Sequence, residues 1–224
     1  MSPQKHLWSL VLFTVLVGAA ALGLSGQSSR ATGDIPEDAV SVEDAPRPAI
    51  GSQDAPAVMV VFTDYQCPFC MKFFEERLPA LRERFVDAGD LRVVVRDMPL
   101  ARHRFARPAA LAAVCADKQG AYWPMHEALY ARQAILPDVD LAELAATLGL
   151  DRKGFDACMA NEDTGLQIDE DIASAKAAKI SGTPAFLIGV PRDGRIYGRV
   201  IVGYQPESVY ETEIRDAIRF DASP

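Results

Sequence analysis

A buried apolar run that ends almost directly at two cysteines most constrains the fold of this chain. Residues 57–63 (AVMVVFT) are apolar up to the final threonine and rich in β-branched side chains. This pattern is typical of a strand buried on both faces. The sequence Cys67-Pro68-Phe69-Cys70 follows, then a stretch to about residue 86 with helical spacing of its apolar side chains. A second strand is predicted at residues 91–96, so this part of the chain predicts a βαβ unit with a parallel strand pair.

The rest of the domain is predicted to be helical first and then to return to strands. A helical region is expected at about residues 105–180. Two further strands are predicted at residues 185–188 and 199–202, separated by a turn around Asp193-Gly194. A closing helix follows them. Residues 51–224 are therefore expected to form one α/β domain with a helical insertion.

The N-terminus carries a targeting signal. Lys5 precedes a run of apolar and small residues from Leu7 to Leu24. This layout predicts either a cleaved signal peptide or an uncleaved membrane anchor over residues 1–24, and both alternatives stay open. In either case, positive charge before the apolar run predicts that the rest of the chain lies outside the cytoplasm.

Residues 25–50 are expected to be an acidic linker rich in proline and serine. The stretch 25–56 holds six acidic and two basic side chains and has almost no periodic apolar pattern. Such a segment buries too little apolar surface to order itself. The folded domain is therefore expected to begin near Gly51, and an uncleaved N-terminus would be tethered through this linker.

Net charge and predicted export narrow the classes of function. The 224-residue chain has a formal net charge of −8. An acidic chain with few basic clusters is a poor candidate for binding nucleic acid. Cysteines in an exported protein more often form disulfides than metal sites.

The Cys67–Cys70 segment has the features of a reactive thiol site. Cys67 is predicted where a strand ends and a helix begins, and Pro68 suits the first helical position. The sulfur of Cys67 would then face unpaired N–H groups at the positive end of the helix, which lowers the pKa of a thiol. Cys70 lies one turn further along, within disulfide reach.

The Cys-x-x-Cys segment has two other interpretations, a zinc site and a structural disulfide. Half of a zinc site would need two more ligands, and Cys115, Cys158, His103 and His126 do not have finger-like spacing. A purely structural disulfide at this spacing would close a very small loop and stabilise little. No metal is therefore expected.

Cys115 and Cys158 are the two remaining cysteines of the chain. Each lies on an apolar helical face, so both are expected to point into the helical region. They either form a disulfide or pack as two buried free thiols, and export favours the disulfide. His103 and His126 are expected to have structural roles.

Two motifs together resemble the DsbA-like branch of the thioredoxin superfamily. They are residues 62–70 (FTDYQCPFC) and residues 181–185 (SGTPA), which occur in the family's order. The resemblance covers about residues 51–220. It implies a thioredoxin fold with a mixed central sheet and an inserted helical subdomain at about 105–180.

The resemblance also implies roles for particular residues. Cys67 resembles the attacking cysteine and Cys70 the buried resolving cysteine. Thr183 and Pro184 resemble the loop whose proline is cis and faces the cysteines. The backbone of Thr183 is then expected to pair with an extended substrate, and Phe69 is assigned with this loop to the substrate-binding surface.

Two positions depart from the family pattern. Many members carry a buried glutamate six residues before the first cysteine, where this chain has Val61. Asp64 is nearby but does not occupy that position. The strongest oxidants of the family have histidine between the cysteines, where this chain has Phe69. A strongly oxidising potential is therefore not implied.

The implied function is that of an extracytoplasmic thiol–disulfide oxidoreductase. It would oxidise the thiols of unfolded or partly folded exported proteins through a mixed disulfide, as a monomer and without a metal or organic cofactor. A membrane redox partner would recycle it, either a quinone-linked oxidase or an electron-supplying reductase. The alternatives are a reductase or isomerase with the same chemistry, or an exported holdase without turnover.

Overall fold

The computed structural model describes Ile35 and residues 39–222 of this chain. The predicted signal peptide or anchor at residues 1–24 lies outside this described part. One six-stranded mixed sheet has the order β1-β6-β5-β3-β4-β2. The strands are β1 Val40–Glu43, β2 Ala49–Ile50, β3 Ala57–Thr63, β4 Leu91–Asp97, β5 Ala185–Arg192 and β6 Arg195–Val202.

Strand β3 lies in the middle of the sheet and leads directly into the cysteine motif. All seven of its residues are buried. It pairs in parallel with β4, in a register that ends at Thr63 opposite Asp97, and antiparallel with β5. The predicted buried strand and parallel pair are therefore confirmed, and the carboxyl end of β3 delivers the chain to Cys67.

A continuous helical segment follows the cysteine motif. It consists of α1 Pro68–Lys72 and α2 Leu78–Leu81, with wider π-helical turns at Phe73–Arg77 and Arg82–Val86. Pro79 lies in the first turn of α2. Because a proline nitrogen has no proton to donate, the regular hydrogen-bond ladder is interrupted there, and a wider turn accommodates the break.

Five helices lie between β4 and β5, at the position of the predicted insertion. They are α3 Ala106–Asp117, α4 Tyr122–Ala131, α5 Leu141–Thr147, α6 Arg152–Ala160 and α7 Leu166–Ala177, with 3₁₀ turns at Gln133–Asp138 and Glu162–Gly165. Helix α8 Glu207–Asp221 closes the domain. No helix within residues 39–222 is long and apolar enough to cross a membrane.

The sheet is covered on both faces. Helix α8 and the α1–α2 segment cover one face, where Phe73, Phe186 and Tyr210 form an aromatic cluster. The end of α7 packs on the opposite face through Ala175 and Ala178. The predicted fold class, a thioredoxin fold with a mixed sheet and a helical insertion, is confirmed.

A disulfide joins Cys115 in α3 to Cys158 in α6. Its S–S distance is 2.08 Å and its Cα–Cα distance is 5.7 Å, over a sequence separation of 43 residues. These values are ordinary for a protein disulfide. Of the two alternatives that the sequence left open, the structure has the bonded one, inside the helical insertion.

The boundary predicted between linker and domain at Gly51 is wrong. Residues 40–43 form β1 on the outer edge of β6, and residues 49–50 form β2 on the outer edge of β4. Residues 40–50, called the strap below, therefore pair with both opposite edges of the sheet. The ordered domain begins about ten residues earlier than expected.

Ion pairs and backbone pairing explain why this polar segment is ordered. Arg47 bonds the buried carboxylate of Asp171 in α7, with Nε–Oδ1 at 2.8 Å. Asp44 accepts a 2.6 Å bond from Arg92, a buried side chain of β4. Such long-range partners do not show in the composition of a segment, so a criterion based on apolar burial misses them.

The turn between β5 and β6 lies where the sequence predicted it. Asp193 and Gly194 both have positive φ, at 50° and 73°. Two successive residues of this kind form a type I′ turn, whose twist matches the flanking strands of a hairpin. The hairpin brings the far end of β6 back to the start of β5, next to Pro184.

Candidate active site

Cys67 is the residue that caps the N-terminus of α1. Its backbone is extended, with φ −84° and ψ 114°, and Pro68 occupies the first turn. The carbonyl of Cys67 accepts the first bond of the helix, from the N–H of Cys70 at 3.1 Å. The Cys67 side chain therefore lies among the unpaired N–H groups of the helix start, as the sequence predicted.

Cys67 and Cys70 are both free thiols and differ in access. Cys67 is 4% exposed, whereas Cys70 is completely buried. Cys70 lies one helical turn below Cys67 and packs into the core shared with the helical insertion. A substrate that reaches the site therefore meets the sulfur of Cys67 first.

The loop before β5 faces Cys67. The Thr183–Pro184 peptide bond is cis. The Cys67 thiol donates a hydrogen bond to the Thr183 carbonyl oxygen, with Sγ–O at 3.3 Å. On the other side of the loop, the Gly203 N–H donates to the Pro184 carbonyl at 2.8 Å. The loop is thus held between the end of β6 and the reactive sulfur.

The surroundings of Cys67 favour its thiolate. A hydrogen bond from the Cys70 thiol is the largest cause, and further bonds from Thr183 and from the N–H groups of Cys70 and Phe69 add to it. Together they outweigh burial and lower the pKa of Cys67 from 9.0 to about 6. Cys67 is therefore mostly thiolate at neutral pH.

Cys70 behaves in the opposite way. Burial raises the pKa of Cys70 well above its ordinary value, and the neighbouring Cys67 raises it further. Hydrogen bonds from the Thr63 hydroxyl and the Asp64 N–H act against this rise. The pair therefore consists of one reactive thiolate and one protonated thiol.

An exposed aromatic surface adjoins the cysteines. Phe69 is 54% exposed, and its ring stacks on that of Tyr204 with centroids 6.4 Å apart. The Arg77 guanidinium lies over the Tyr204 ring, 4.6 Å from its centroid. Val202, at the end of β6, is 59% exposed. The chain therefore has an apolar surface next to the Cys67–Cys70 motif.

Asp64 organises the loop between β3 and α1. Its carboxylate accepts bonds from the N–H groups of Gln66 and Leu100, both at 2.7 Å, and lies 2.8 Å from His103 Nδ1. These partners engage both carboxylate oxygens. Asp64 and His103 therefore hold the loop in place.

His126 lies in an aromatic cluster between the site and the helical insertion. Its ring packs edge-on against Phe74 and Trp123, and its Nδ1 lies 2.9 Å from the Tyr65 hydroxyl. Burial lowers the pKa of His126 to about 3. It is neutral at physiological pH, which fits the structural role expected from the sequence.

Three side chains near the cysteines escaped sequence reasoning. Gln133, from the insertion, donates its amide to the carbonyl oxygens of Tyr65 at 2.8 Å and Cys67 at 3.1 Å. Thr63 and Tyr130 form a buried hydroxyl pair, with oxygens 2.6 Å apart. Thr63 ends an apolar run and lies within the motif at residues 62–70, but neither pattern assigned it a role, and the other two had no motif to mark them.

We find no candidate metal site in the described part of the chain. Within Ile35 and residues 39–222, no group of three or more His, Cys, Asp or Glu side chains is placed to hold a metal ion.

A strand–helix dithiol facing a cis-proline loop defines the thioredoxin class of proteins, and comparison with known proteins agrees. The sequence profile of the family described as thioredoxin matches residues 43–198. This match covers more than half of the chain. The protein belongs to the thioredoxin family.

Solved structures show which variant of the fold is present. The crystal structure of α-DsbA1 from Wolbachia pipientis has a TM-score of 0.65 at 23% identity and covers 79% of this chain and 94% of its own. BdbD from Bacillus subtilis, in its oxidised form, has a TM-score of 0.66 at 24% identity and covers 81% and 99%. The fold is therefore that of DsbA-like proteins.

Curated relatives match only over part of their length. The Na⁺/H⁺ antiporter NhaA 1 of Salinispora arenicola is 37% identical over 131 residues, which are 58% of this chain and 20% of that protein. The NhaA of Herminiimonas arsenicoxydans is 34% identical over 130 residues. The chain thus spans about a fifth of the length of these relatives.

Proposed function

We propose that this protein oxidises the thiols of exported proteins through the Cys67–Cys70 dithiol. The observation that carries the proposal is the placement of the Cys67 sulfur, between the N-terminus of α1 and the cis-proline loop at 3.3 Å from the Thr183 oxygen. At this position the Cys70 thiol and the N–H groups at the start of α1 activate the Cys67 sulfur, the cis-proline loop lies against it, and the Cys70 sulfur lies one helical turn away as its exchange partner.

Exchange begins on the oxidised protein, which carries a Cys67–Cys70 disulfide. A substrate thiolate attacks the Cys67 sulfur, the bond to Cys70 breaks, and its electron pair leaves with the Cys70 sulfur. A second substrate thiolate then attacks the substrate sulfur of the mixed disulfide. Cys67 leaves as a thiolate, the substrate gains a disulfide, and the protein is reduced by two electrons.

The low pKa of Cys67 supports the oxidising direction. A thiol with a pKa of about 6 is mostly ionised at pH 7, which stabilises the reduced protein by about 1.4 kcal/mol over one with an ordinary pKa. For a two-electron couple this equals about 30 mV towards a stronger oxidant. Phe69 donates no side-chain hydrogen bond to the Cys67 sulfur, so we propose that the reduction potential of the Cys67–Cys70 pair is only moderately oxidising.

Substrates are proposed to bind as extended segments across the cis-proline loop. The Thr183 backbone then offers strand-like hydrogen bonds, and the exposed ring of Phe69 with the half-buried ring of Tyr204 offers apolar contact that favours unfolded or partly folded proteins. We also propose that the protein acts as a monomer.

The Cys115–Cys158 disulfide supports a place outside the cytoplasm. Such bonds persist in oxidising compartments. We therefore propose that residues 1–24 direct export, as a signal peptide or as an anchor that tethers the domain through residues 25–39. A membrane redox partner would re-oxidise the Cys67–Cys70 pair. Ion transport, named for the NhaA relatives, is not proposed, because this chain matches only a fifth of them.

The proposal is tested with a reduced, unfolded protein whose activity depends on its disulfides. The oxidised wild type should restore that activity stoichiometrically. Cys67→Ser should be inactive, and Cys70→Ser should accumulate a mixed disulfide on Cys67. The double variant Cys115→Ala/Cys158→Ala is the matched control and should retain exchange. Normal turnover by Cys67→Ser would overturn the assignment, and failure of the oxidised wild type to form disulfides in the reduced substrate would overturn its direction.

A further inference from the structure

Cys70 must carry a negative charge during exchange although it is completely buried. When the Cys67–Cys70 bond opens, the electron pair stays on the Cys70 sulfur. Burying an unpaired charge is expensive, so a donor is needed at that sulfur. Val61, inside β3, lies in the apolar core and offers none. The Asp64 carboxylate is engaged by Gln66, Leu100 and His103.

A pair of buried hydroxyls lies at the right place. Thr63 ends β3, is completely buried, and reaches the Cys70 sulfur with its hydroxyl group. Its Oγ1 lies 2.6 Å from the hydroxyl oxygen of Tyr130 in α4, which is also buried. The Tyr130 hydroxyl also lies 3.5 Å from the carbonyl oxygen of Asp64, but the Thr63 hydroxyl is by far its nearer partner. Thr63 in turn is a side-chain hydrogen-bond partner of the Cys70 sulfur.

We propose that the Thr63 hydroxyl, oriented by Tyr130, is the donor that stabilises the Cys70 thiolate during disulfide exchange. Thr63 contacts the reacting sulfur and is a catalytic residue in this sense. Tyr130 acts through Thr63 and is a positioning residue. The inference rests on the proposed function, because it assigns a step within the same reaction.

The atoms and electrons of the step balance without a further oxidant or reductant. The attacking thiolate forms a bond to the Cys67 sulfur, and the Cys67–Cys70 bond breaks. The Thr63 O–H donates to the new Cys70 thiolate, while the Tyr130 O–H donates to Thr63 Oγ1. Both hydroxyls keep their protons, and Cys70 afterwards takes its proton from water. In the reverse step, the same donors hold the attacking Cys70 thiolate.

Other titratable groups face this pair and define the controls. Cys67 lies on α1 next to Cys70, and Tyr65 and the carboxyl of Asp97 in β4 act on Tyr130. Burial raises the pKa of Asp97 well above its usual range. All these groups are unchanged in a series that alters only the two hydroxyls. Tyr122, a buried tyrosine of the same helix, serves as the matched control for Tyr130.

The first measurement is the titration of Cys70 in a Cys67→Ala background, followed by thiolate absorbance at rising pH. Adding Thr63→Val should move the midpoint to higher pH, because a donor to the thiolate is lost while side-chain shape is kept. Thr63→Ser should restore the midpoint. This readout needs no turnover, so it stands even if the protein does not oxidise thiols.

The second measurement is the rate at which glutathione opens the Cys67–Cys70 disulfide in otherwise intact protein. Thr63→Val should slow opening about tenfold, the equivalent of one hydrogen bond to a charged group. Tyr130→Phe should slow it about threefold, and Tyr122→Phe should leave it unchanged. A Thr63→Val protein with the wild-type midpoint and rate would overturn the inference, as would a Thr63→Ser protein that behaves like Thr63→Val.

Discussion

The sulfur of Cys67 lies 3.3 Å from the carbonyl oxygen of Thr183, across 116 residues of sequence. The contact joins the start of α1 to the cis-proline loop, so the two motifs form one site. The Thr183 hydroxyl is buried and has no bonded partner by distance and angle among the described residues. A hydroxyl without a bond to the Cys67 thiol is free to donate once Cys67 is ionised, and this donation is among the causes that lower the pKa of Cys67, after the larger effect of the Cys70 thiol.

Replacing Thr183 by valine therefore tests the loop's part in activating the sulfur. Thr183→Val removes the hydroxyl and keeps the backbone carbonyl, so the pKa of Cys67 should rise above its value of about 6. The rate of iodoacetamide alkylation against pH, on the reduced protein, measures this midpoint. Thr183→Ser is the control and should titrate like the wild type. An unchanged midpoint in Thr183→Val would show that the hydroxyl does not reach the thiolate.

Gln133 is expected to hold the loop before α1 against the helical insertion. In Gln133→Glu, a carboxylate oxygen replaces the amide that faces the carbonyls of Tyr65 and Cys67. Repulsion should destabilise the protein by about 1–3 kcal/mol and raise the pKa of Cys67. Urea unfolding and the alkylation profile measure the two effects.

The control for that experiment is Gln133→Leu. It removes the amide without adding charge and should destabilise less than Gln133→Glu. Equal stability of the wild type and Gln133→Glu would contradict the bonding of this side chain.

The Cys115–Cys158 disulfide should contribute stability without contributing to exchange. It closes a separation of 43 residues, for which loop entropy gives about 4 kcal/mol. The double variant Cys115→Ala/Cys158→Ala should unfold at correspondingly lower urea concentration. Its rate of oxidising a substrate thiol at 25 °C should match the wild type, and a large loss of that rate in folded protein would show that the bond shapes the site.

His126 should make the protein sensitive to acid. Its pKa is lowered from 6.5 to about 3 in the folded state. Between these two pH values the unfolded chain binds a proton at His126 and the folded chain does not. The stability is complete above pH 6.5 and falls by about 1.4 kcal/mol per pH unit as the pH drops from 6.5 towards 3.

The variant His126→Phe keeps an aromatic ring in the cluster and should remove this slope. Other groups titrate in the same range, so the informative quantity is the difference between wild type and variant at each pH. Unfolding by urea at pH 7, 6, 5 and 4 supplies it. A difference that stays constant from pH 7 to pH 4 would mean that His126 is accessible to protons in the folded state.

The parts of the site that lie in short motifs were predictable from the sequence. Cys67 and Cys70 follow an unmistakable strand, and local geometry alone places one sulfur at a helix N-terminus. Pro184 could be assigned to the site because the resemblance to a known family places its loop opposite the two cysteines. In each case, the information lies within a few consecutive residues.

The rest depends on contacts that join distant parts of the chain. Gln133 bonds to Tyr65 and Cys67 across 68 and 66 residues, and Thr63 bonds to Tyr130 across 67 residues. Neither pair has a spacing rule that a single sequence displays. The prediction that the strap is an unstructured linker was wrong for the same reason. The strap is held in place by the bond from Arg47 to Asp171, across 124 residues.

The central claim is that Cys67 and Cys70 form an exchangeable disulfide that the protein donates to substrates. A redox titration of the purified protein in glutathione buffers, scored by alkylation and mass at each cysteine, tests it most directly. We expect glutathione to open the Cys67–Cys70 bond readily, while Cys115–Cys158 stays closed. A bond that resists glutathione would contradict the oxidising direction, and failure to form any Cys67–Cys70 bond in oxidised glutathione would contradict the redox function itself.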